Sequence, residues 1–226
     1  MTDRVVKAVH GIQMVQPDPA DELKESADLR ATESTEQLLA RYSAACYDDS
    51  ASGARARRVI LRAICKAFGN GVKVGVGVLV LHPHTFEIGD AVFIGNQTFL
   101  QGRHDGTCVI GAHTWIGPQS YFDCRDLRLG EYVGWGPGAK VLGSEHTGDP
   151  LDVPIIQTDL VIKPVRVDDG ADIGVNAVLL PGVRIGKGAI IGAGSVVTRD
   201  THVPANAIYA GVPARFLKSR ADTAGS

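Results

Sequence analysis

Aliphatic residues return at every sixth position through the second half of the chain. From residue 167 the sequence divides into VDDGAD, IGVNAV, LLPGVR, IGKGAI, IGAGSV, VTRDTH and VPANAI, and each hexad opens with Val, Ile or Leu. Because six is a multiple of two, each hexad can form a short strand with alternating side chains, followed by a turn. Gly, Asn and Asp at the third and fourth positions suit such turns. The opening residues are Val167, Ile173, Leu179, Ile185, Ile191, Val197 and Val203.

Three hexads can close into one triangular coil, and stacked coils place the first-position side chains in a continuous apolar ladder. The fifth position is small or slim in every hexad, as expected for a crowded interior. This pattern predicts an all-β solenoid that is stabilised by stacking of neighbouring coils and capped at its ends. A weaker form of the period runs upstream. It shifts by four residues between Leu100 and Ile110 and by one between Phe122 and Leu129, where we expect loops to leave the coil.

Two helices are predicted ahead of the repeat. The stretch STEQLLARYSAAC opens with a capping-box pattern at Ser34 and Gln37, and ARARRVILRAICKAFGNG carries an apolar stripe that ends at glycine. We expect these helices to cap one end of the solenoid. The predicted division is a flexible tail at 1–20, a helical segment at 21–71, the β-helix at 72–208 with a loop at 147–161, and a C-terminal segment at 209–226.

Composition and charge argue against nucleic acid and membranes as partners. The net charge of -2 and the absence of basic runs argue against a nucleic-acid partner. The start lacks an apolar signal region, and the longest apolar stretch, VKVGVGVLVL, is too short to span a bilayer. We therefore expect a cytoplasmic protein without a membrane partner. Cys46, Cys65, Cys108 and Cys124 have no CxxC or zinc-type spacing, which favours small, partly buried thiols in a reducing compartment.

Two phrases near the C-terminus, PGVRIGKGAIIGAGSVVTRD and AGVPARFLK, together with the sixfold period, resemble the hexapeptide-repeat acyltransferases. The stretch LLARYSAACYDDSASGARARRVILRAICKAFG is similar to the helical segment of maltose and galactoside O-acetyltransferases. The resemblance extends over roughly residues 36–218. It implies a left-handed parallel β-helix of hexapeptide repeats with an N-terminal helical cap. It also implies acetyl-CoA as donor without a required metal, a sugar or glycoside acceptor, and a homotrimer with active sites between subunits.

His146 is the predicted general base. Transfer of an acetyl group to an alcohol needs a group that accepts the hydroxyl proton and returns it to the thiolate, and imidazole can do both near neutral pH. His146 directly precedes the predicted loop, and the resemblance places a catalytic histidine there. One ring nitrogen must accept, so the other should donate to a carbonyl or carboxylate, with Glu145 and Asp123 the nearest candidates. The alternative is a solvated loop histidine.

The remaining site residues follow from the resemblance. It assigns the acceptor side to Asp123, Trp115 and Glu145, and the donor side to Ala193, Thr198, Arg199, Arg215 and Lys218. The physics of the donor agrees, because cations near the C-terminal end can bind the phosphates of coenzyme A. The alternatives are an exposed turn acid for Asp123, packing at the trimer interface for Trp115 and solvated charges for the cations. An asparagine of the family has no counterpart, which leaves oxyanion stabilisation open.

Three functions remain to be distinguished. The first is O-acetylation of a sugar or glycoside hydroxyl, and the second is N-acetylation of a nucleotide sugar by the same histidine. The third is a non-catalytic trimeric scaffold, against which His146 and the cations argue. A zinc hydratase of this fold would need three convergent ligands, and the sequence has no paired His-x4-His arrangement among histidines such as His82, His84, His104, His113 and His202. The sequence leaves the acceptor and the acyl length open.

Overall fold

The computed structural model describes residues 4–9, 12 and 14–223, which form an N-terminal group of helices followed by a parallel β-solenoid of about seven turns. The helices are α1 Ala20–Thr32, α2 Thr35–Ala45 and α3 Ala51–Ile64. The strands are β1 Ala67–Phe68, β2 Lys73–Val74, β3 Leu79–Leu81, β4 Phe86–Ile88, β5 Phe93–Ile94, β6 Phe99–Ile110, β7 Trp115–Ile116, β8 Tyr121–Leu129, β9 Gly134–Trp135, β10 Lys140–Val141, β11 Ser144–His146, β12 Leu160–Ile162, β13 Val165–Val167, β14 Asp172–Ile173, β15 Val178–Leu179, β16 Arg184–Ile185, β17 Ile190–Ile191, β18 Val196–Val197, β19 His202–Val203, β20 Ala207–Ala210 and β21 Arg215–Ser219.

Three stacks of parallel strands make three faces. The first face contains β1, β4, the second halves of β6 and β8, then β13, β16 and β19. The second contains β2, β5, β7, β9, β14, β17 and β20. The third contains β3, the first halves of β6 and β8, then β10, β15 and β18. The predicted all-β solenoid is thus confirmed, while its left-handed sense stays a prediction.

The core consists of the first-position residues of the hexads. Each is at most 1% exposed, and neighbours stack one coil apart, as Ile173 does beside Ile191. The small fifth-position residues are also buried, except that Thr201 is half-buried. Burying a Val, Leu or Ile side chain is worth about 1.5–3 kcal/mol, so this ladder dominates the stability of the coils. The buried first-position residues of the regular part are Val167, Ile173, Leu179, Ile185, Ile191, Val197 and Val203.

The fourth position of each hexad carries the turn. Every fourth-position residue from 170 to 206 has a positive φ, between 57° and 81°. Glycine, asparagine and aspartate fill these places, the residue types that adopt this left-handed conformation most readily. Two features therefore share the period of six residues: a buried aliphatic side chain and a turn residue in the left-handed conformation. The seven turn residues are Gly170, Asn176, Gly182, Gly188, Gly194, Asp200 and Asn206.

The predicted loops at the two shifts of the period are wrong. Strand β6 continues through the four-residue shift, with its register to β8 changing between Gly102 and Thr107, and β8 continues through the one-residue shift. The four extra residues, 103–106, are unpaired in that register and form a bulge within the strand, between segments that pair with β3 and with β4. The predicted loop at 147–161 is also different: β11 and β12 pair antiparallel and make its base a hairpin.

The helices cap the N-terminal end of the solenoid. The Tyr42 hydroxyl donates to the Val78 carbonyl at 2.8 Å, and buried Arg57 donates from Nε to the Val74 carbonyl at 3.1 Å. The capping box of α2 at Ser34 is confirmed. Helix α3 ends at Ile64, earlier than predicted, because the following residues leave the helix to form β1 beside β4.

Helix α1 was not predicted. Its sequence, ADELKESADLRAT, has little apolar periodicity, and ion pairs hold it to α3, with Glu22 2.7 Å from Arg58. Just before it, Asp18 pairs with Arg62. The predicted flexible tail at 1–20 lies partly outside the described residues, and its flexibility stays a prediction.

The C-terminal segment closes the other end. The Ala214 N–H donates to the Val196 carbonyl at 2.8 Å, and β21 then turns back antiparallel to β20. The Gly211 N–H donates to the Ser195 hydroxyl, a buried polar group of the interior, at 3.0 Å. These bonds satisfy backbone groups that the last coil would otherwise leave open. In the described part of the chain, no helix combines the length and apolar character needed to cross a bilayer.

Candidate functional site

A β-hairpin leaves the corner between the third and first faces and carries the predicted base. Its strands, β11 and β12, place His146 opposite Leu160, and the Thr147 N–H extends the pairing to the Asp159 carbonyl at 2.8 Å. The hairpin begins after Gly143 and rejoins the coil at β13. His146 is therefore the last residue of a paired strand, which fixes its backbone on a regular element.

The orientation of the His146 ring is set by a backbone carbonyl. Its Nδ1 lies 2.9 Å from the carbonyl oxygen of Thr158. A carbonyl only accepts hydrogen bonds, so Nδ1 carries the proton and Nε2 keeps a free lone pair. The half-buried ring is thus prepared to accept a proton at Nε2. Of the two predicted alternatives, a carbonyl and not a carboxylate orients the ring, and the nearest candidates, Glu145 and Asp123, have other partners.

Thr158 fixes that carbonyl in place. Its buried hydroxyl donates to the Ile155 carbonyl at 2.7 Å and accepts from the Gly148 N–H at 3.2 Å. These bonds tie the two sides of the hairpin tip together. The sequence analysis missed Thr158, since a side chain that acts through its own backbone carbonyl has no residue-type signal. Recognising the hairpin would have placed it close to the histidine, two residues before Leu160, which pairs with His146.

Asp123 anchors the base of the hairpin. The residue is 4% exposed, and its Oδ2 accepts from the Ser144 hydroxyl at 2.9 Å and from the Gly143 N–H at 3.3 Å. Its Oδ1 lies 3.2 Å from Nη2 of Arg103 and 3.5 Å from Nε of Arg125. Both oxygens are therefore engaged by the protein. The predicted contact of Asp123 with an acceptor hydroxyl stays a prediction.

Two ion pairs join the hairpin to the turn that follows β18. Glu145, beside the histidine, lies 2.5 Å from Arg199, and Lys163, just after β12, lies 2.6 Å from Asp200. Arg199 was predicted on the donor side and Glu145 on the acceptor side, and the structure brings them into contact. Sequence reasoning missed Lys163 and Asp200, which are separated by 37 residues.

Three of the five predicted donor residues lie at two corners of the coil, and the other two lie on β21. Thr198 and Arg199 occupy the corner of the hairpin, where the Thr198 hydroxyl is 3.2 Å from that of Thr201. Ala193 is exposed in the turn between the second and third faces, so strand β18 separates it from Thr198. Arg215 and Lys218 are exposed on β21. Ala193 and Thr198 thus lie on either side of β18, whereas Arg215 and Lys218 lie on the strand that pairs with β20 of the second face.

Trp115 lies on a different face from His146. It belongs to the second face, where its ring stacks on Phe93 with centroids 5.6 Å apart. Within one chain it does not share the corner of the hairpin. A contact between Trp115 and an acceptor held at His146 would therefore involve two copies of the chain, and this role stays a prediction.

A cavity of about 370 Å³ lies at the foot of the hairpin. Lys163, Asp200 and Thr201 line it together with Arg184 and His202 of the first face. A larger cleft of about 640 Å³, between α2 and the start of the third face, is far more apolar and contains Leu79 and Phe99. The smaller cavity is the one that adjoins the predicted catalytic corner.

The four thiols are free and buried, more fully than the partial burial predicted, and burial raises the pKa of Cys65 to about 12. His113 occupies a left-handed turn at φ 59° and stacks on Tyr132. Over residues 4–9, 12 and 14–223, no three His, Cys, Asp or Glu side chains converge as metal ligands. Metal independence stays a prediction.

Sequence comparison identifies the repeat. Residues 163–199 match the family model of the bacterial transferase hexapeptide, which describes six repeats. A 60-residue segment is 52% identical to the 2,3,4,5-tetrahydropyridine-2,6-dicarboxylate N-acetyltransferase of Staphylococcus aureus. That segment is 26% of this chain and 24% of the enzyme. The chain therefore matches about a quarter of the length of these curated relatives.

Solved structures share the fold. An N-acyltransferase from Bacillus cereus, in complex with dTDP and coenzyme A, superposes with a TM-score of 0.62 at 21% identity, covering 70% of this chain and 84% of that one. A hexapeptide-repeat acetyltransferase from Vibrio cholerae, in complex with acetyl coenzyme A, gives 0.59 at 22%, covering 88% and 97%. A maltose O-acetyltransferase from Clostridium difficile gives 0.53 at 21%, covering 89% of each. The chain is thus a hexapeptide-repeat β-solenoid with a fold similar to that of these acyltransferases.

Proposed function

We propose that this protein is an acetyl-CoA-dependent acetyltransferase that acts on a hydroxyl of a sugar or glycoside, with His146 as general base. The observation that carries the proposal is the 2.9 Å contact between Nδ1 of His146 and the Thr158 carbonyl, which leaves Nε2 as a proton acceptor. The similarity of the fold to a maltose O-acetyltransferase supports the reaction class.

The proposed reaction is a direct transfer. The acceptor hydroxyl gives its proton to Nε2 as its oxygen attacks the thioester carbonyl carbon. The tetrahedral intermediate then collapses, the carbon–sulfur bond breaks, and the proton passes from Nε2 to the departing thiolate. One nitrogen serves as base and then as acid, while the Thr158 carbonyl stabilises the imidazolium through Nδ1. We assign the oxyanion contact to a backbone N–H of the groove.

The donor is proposed to lie along β18, the last strand of the third face. Ala193 would border its pantetheine arm, with Thr198 and Arg199 at one end and Arg215 and Lys218 on β21. Exposed cations suit a phosphorylated nucleotide because guanidinium and ammonium groups form charge-assisted hydrogen bonds with phosphate. Solved relatives of the same fold contain coenzyme A or acetyl coenzyme A, which supports this donor.

A homotrimer with active sites between subunits is part of the proposal. The hairpin exposes large apolar side chains, with Leu151 93% and Ile156 77% accessible. Contiguous exposed apolar surface is typical of protein interfaces. A second copy that covers the hairpin would add a wall beside His146, and it could bring Trp115 to the acceptor. Asp123 and Glu145 are proposed on the acceptor side from the same chain.

We place the reaction in the cytoplasm, without a membrane or nucleic-acid partner. The four free, buried thiols support a reducing compartment. The net charge of -2 supports neither a phosphate backbone nor an anionic lipid surface as partner.

The second candidate function is N-acetylation, in particular of an amino sugar linked to a nucleotide. The 52% identity to a Staphylococcus aureus N-acetyltransferase favours it, as does the fold shared with a Bacillus cereus N-acyltransferase in complex with dTDP. The chemistry at Nε2 would be the same, with an amine in place of the hydroxyl.

Release of free thiol from acetyl-CoA distinguishes the candidates. Glucosides, oligosaccharides, amino sugars and nucleotide-linked amino sugars are offered in turn, followed by longer acyl donors. Turnover that is fastest with glycoside hydroxyls supports the proposal, and far faster turnover with a free amine favours N-acetylation. If no thiol is released and calorimetry detects no heat of coenzyme A binding, the result would favour the non-catalytic scaffold.

Replacement of the histidine tests the mechanism. His146→Ala should lower kcat by on the order of 10²–10⁴-fold, the usual contribution of a general base. The fold and oligomeric state should persist, because the half-buried ring contributes little to the core. The measurement is kcat with the best acceptor, with circular dichroism and sedimentation as controls. Unchanged turnover in a folded variant rules out His146 as base.

A further inference from the structure

The hairpin that carries His146 is held by two neighbouring residues of one distant turn. Arg199 contacts Glu145 of β11, and Asp200 contacts Lys163 directly after β12, at 2.5 and 2.6 Å. Consecutive residues of the turn therefore reach both sides of the hairpin base. A single surface ion pair is common, but a pair of contacts from adjacent residues to both strands defines the orientation of the hairpin.

Hydrogen bonds fix the conformation of the turn at residues 198–201. Asp200 has the left-handed conformation, at φ 57°, and its N–H donates to the Pro181 carbonyl at 3.2 Å. The Thr201 N–H donates to the Thr198 carbonyl at 3.2 Å, and the hydroxyls of these two threonines lie equally close. Backbone and side-chain bonds thus determine where Arg199 and Asp200 point.

The coil between the hairpin and the turn leaves room for the ion pair between Lys163 and Asp200. Gly182 lies between them, and a Cβ at that position would come within 2.2 Å of the Asp200 Oδ1 and 3.2 Å of the Lys163 side chain. A larger residue would force the Asp200 carboxylate that holds Lys163 to shift. Gly182 also has a positive φ of 81°, so its conformation favours glycine as well.

The ion pairs are too exposed to matter much for stability. The side chains of Arg199 and Asp200 are 56% and 58% accessible, and pairs of this kind are worth roughly 0–1 kcal/mol each. Their effect is on geometry. A displacement of a reacting group by about 1 Å can cost about 10²-fold in rate. A weak interaction that orients a catalytic hairpin can thus have a larger effect on kcat than on folding.

We propose that Lys163 and Asp200 are positioning residues for His146, and that the turn 198–201 serves the donor site and the hairpin at once. The proposal rests on the proposed function, in which Thr198 and Arg199 border the donor. Arg199 would then have a second role, because its guanidinium also holds Glu145 next to the base. Occupation of the donor site and the position of His146 are coupled through this turn.

The test uses Lys163 and Asp200, which are not among the residues proposed to contact donor or acceptor. Lys163→Met and Asp200→Asn each remove one charge, and asparagine keeps the left-handed conformation of residue 200. Each should lower kcat by about 5- to 20-fold and leave the KM for acetyl-CoA within about twofold. The matched control is Lys66→Met, which removes the surface ion pair of 2.7 Å between Lys66 and Glu87 at the other end of the solenoid. This control should keep the kcat of the unmodified protein.

A charge swap separates positioning from donor binding. Glu145→Gln should lower kcat without changing the KM for acetyl-CoA, while Glu145→Arg combined with Arg199→Glu restores the ion pair in reverse. The swapped protein should recover kcat at saturating donor relative to Arg199→Glu alone and keep a raised donor KM. No recovery of kcat would show that Arg199 acts only on the donor.

Hydrogen exchange gives a readout without turnover. The Thr147 N–H pairs with the Asp159 carbonyl and the Lys163 N–H with the Gly143 carbonyl. Both amides should exchange faster in Asp200→Asn than in the Lys66→Met control. Unchanged exchange and unchanged kcat in an active protein overturn the positioning role. Faster exchange in a chain that turns over no acceptor would instead refute the proposed function and leave the structural link in place.

Discussion

At the scale of the residue, the chemistry of the site depends on a backbone atom. The Thr158 carbonyl decides which nitrogen of His146 carries the proton, and no charged group contacts the ring at Nδ1. Many histidine bases are oriented by a carboxylate, which also stabilises the charged ring. A carbonyl gives the same orientation with a smaller electrostatic effect. The rate of this site should therefore respond to movement of the hairpin tip.

Thr158→Val tests that dependence. The two side chains have the same shape, but valine breaks the bonds to the Ile155 carbonyl and the Gly148 N–H. The loss of stability should be about 1 kcal/mol, and kcat should fall by about 3- to 10-fold as the tip loosens. The control is Thr147→Val, whose exposed hydroxyl makes only local contacts of 3.3–3.4 Å. Steady-state kinetics and urea unfolding measure both variants, and equal effects would contradict the role of Thr158.

A second prediction concerns the left-handed turns. Gly170 has φ +65°, and a Cβ there would meet no atom within 4 Å. Gly170→Ala should therefore lose about 1 kcal/mol from backbone conformation alone, since an L residue in this region costs about 1–2 kcal/mol, partly offset by a less flexible unfolded chain. Gly170→Asn should lose less, because asparagine tolerates this conformation, as Asn176 does at φ 57°. Urea midpoints check the order, and equal losses would show that another effect dominates.

At the scale of the element, the period of six could be predicted because each hexad is decided locally. A buried aliphatic residue and a left-handed turn residue are both visible in the sequence, so Ile173 and Asn176 were assigned without knowledge of their neighbours. The hairpin could not be predicted in this way. Its strands are short and half-exposed, and they exist because Ser144–His146 pairs with Leu160–Ile162.

The helices likewise show that an element which depends on contacts with distant residues cannot be predicted from its local sequence. Helix α2 was predicted from its capping box, whereas α1 has almost no apolar stripe and depends on ion pairs with α3. Within the site, His146 and Arg199 came from motifs of the sequence. Thr158, Lys163 and Asp200 did not, because their roles arise from contacts across 12 and 37 residues.

The N-terminal cap yields a prediction at this scale. Arg57 is 2% exposed and donates to the carbonyls of Val74, Ala45 and Asp48 at 3.1, 3.0 and 2.6 Å. Arg57→Met should lose about 2–4 kcal/mol, because buried carbonyls would be left without donors. The control on the same helix is Arg55→Met, which removes more exposed ion pairs and should lose less than about 1 kcal/mol.

Thermal or urea unfolding compares the two arginine variants. A loss of the same size in both would mean that the cap is held by charge rather than by satisfied backbone groups. A loss confined to the first coil, seen by hydrogen exchange at β2 and β3, would fit a solenoid in which each coil depends on its neighbours.

At the scale of the whole molecule, the solenoid separates stability from chemistry. The aliphatic ladder inside the coils is continuous and needs no contribution from the corners. Corners are therefore free to carry a hairpin, an ion pair or an exposed turn. One such corner combines the base, the proposed donor turn and the most exposed apolar residues of the hairpin. An active site between two copies of the chain requires a base, a donor site and a subunit interface close together, and this corner is where the proposal places all three.

The proposed trimer can be tested at the hairpin tip. Ile156 is 77% exposed, and a charge at this position would be buried without a partner if another copy covers the tip. Ile156→Asp should convert the trimer to a monomer at micromolar concentration, and thiol release should fall with it although His146 is intact. The matched control is Leu23→Asp on α1, at the N-terminal end, which should remain trimeric. Sedimentation velocity and circular dichroism report assembly and folding separately. A variant that stays trimeric and fully active would remove the hairpin from the interface, whereas a monomer that retains full activity would show that one chain contains the whole site.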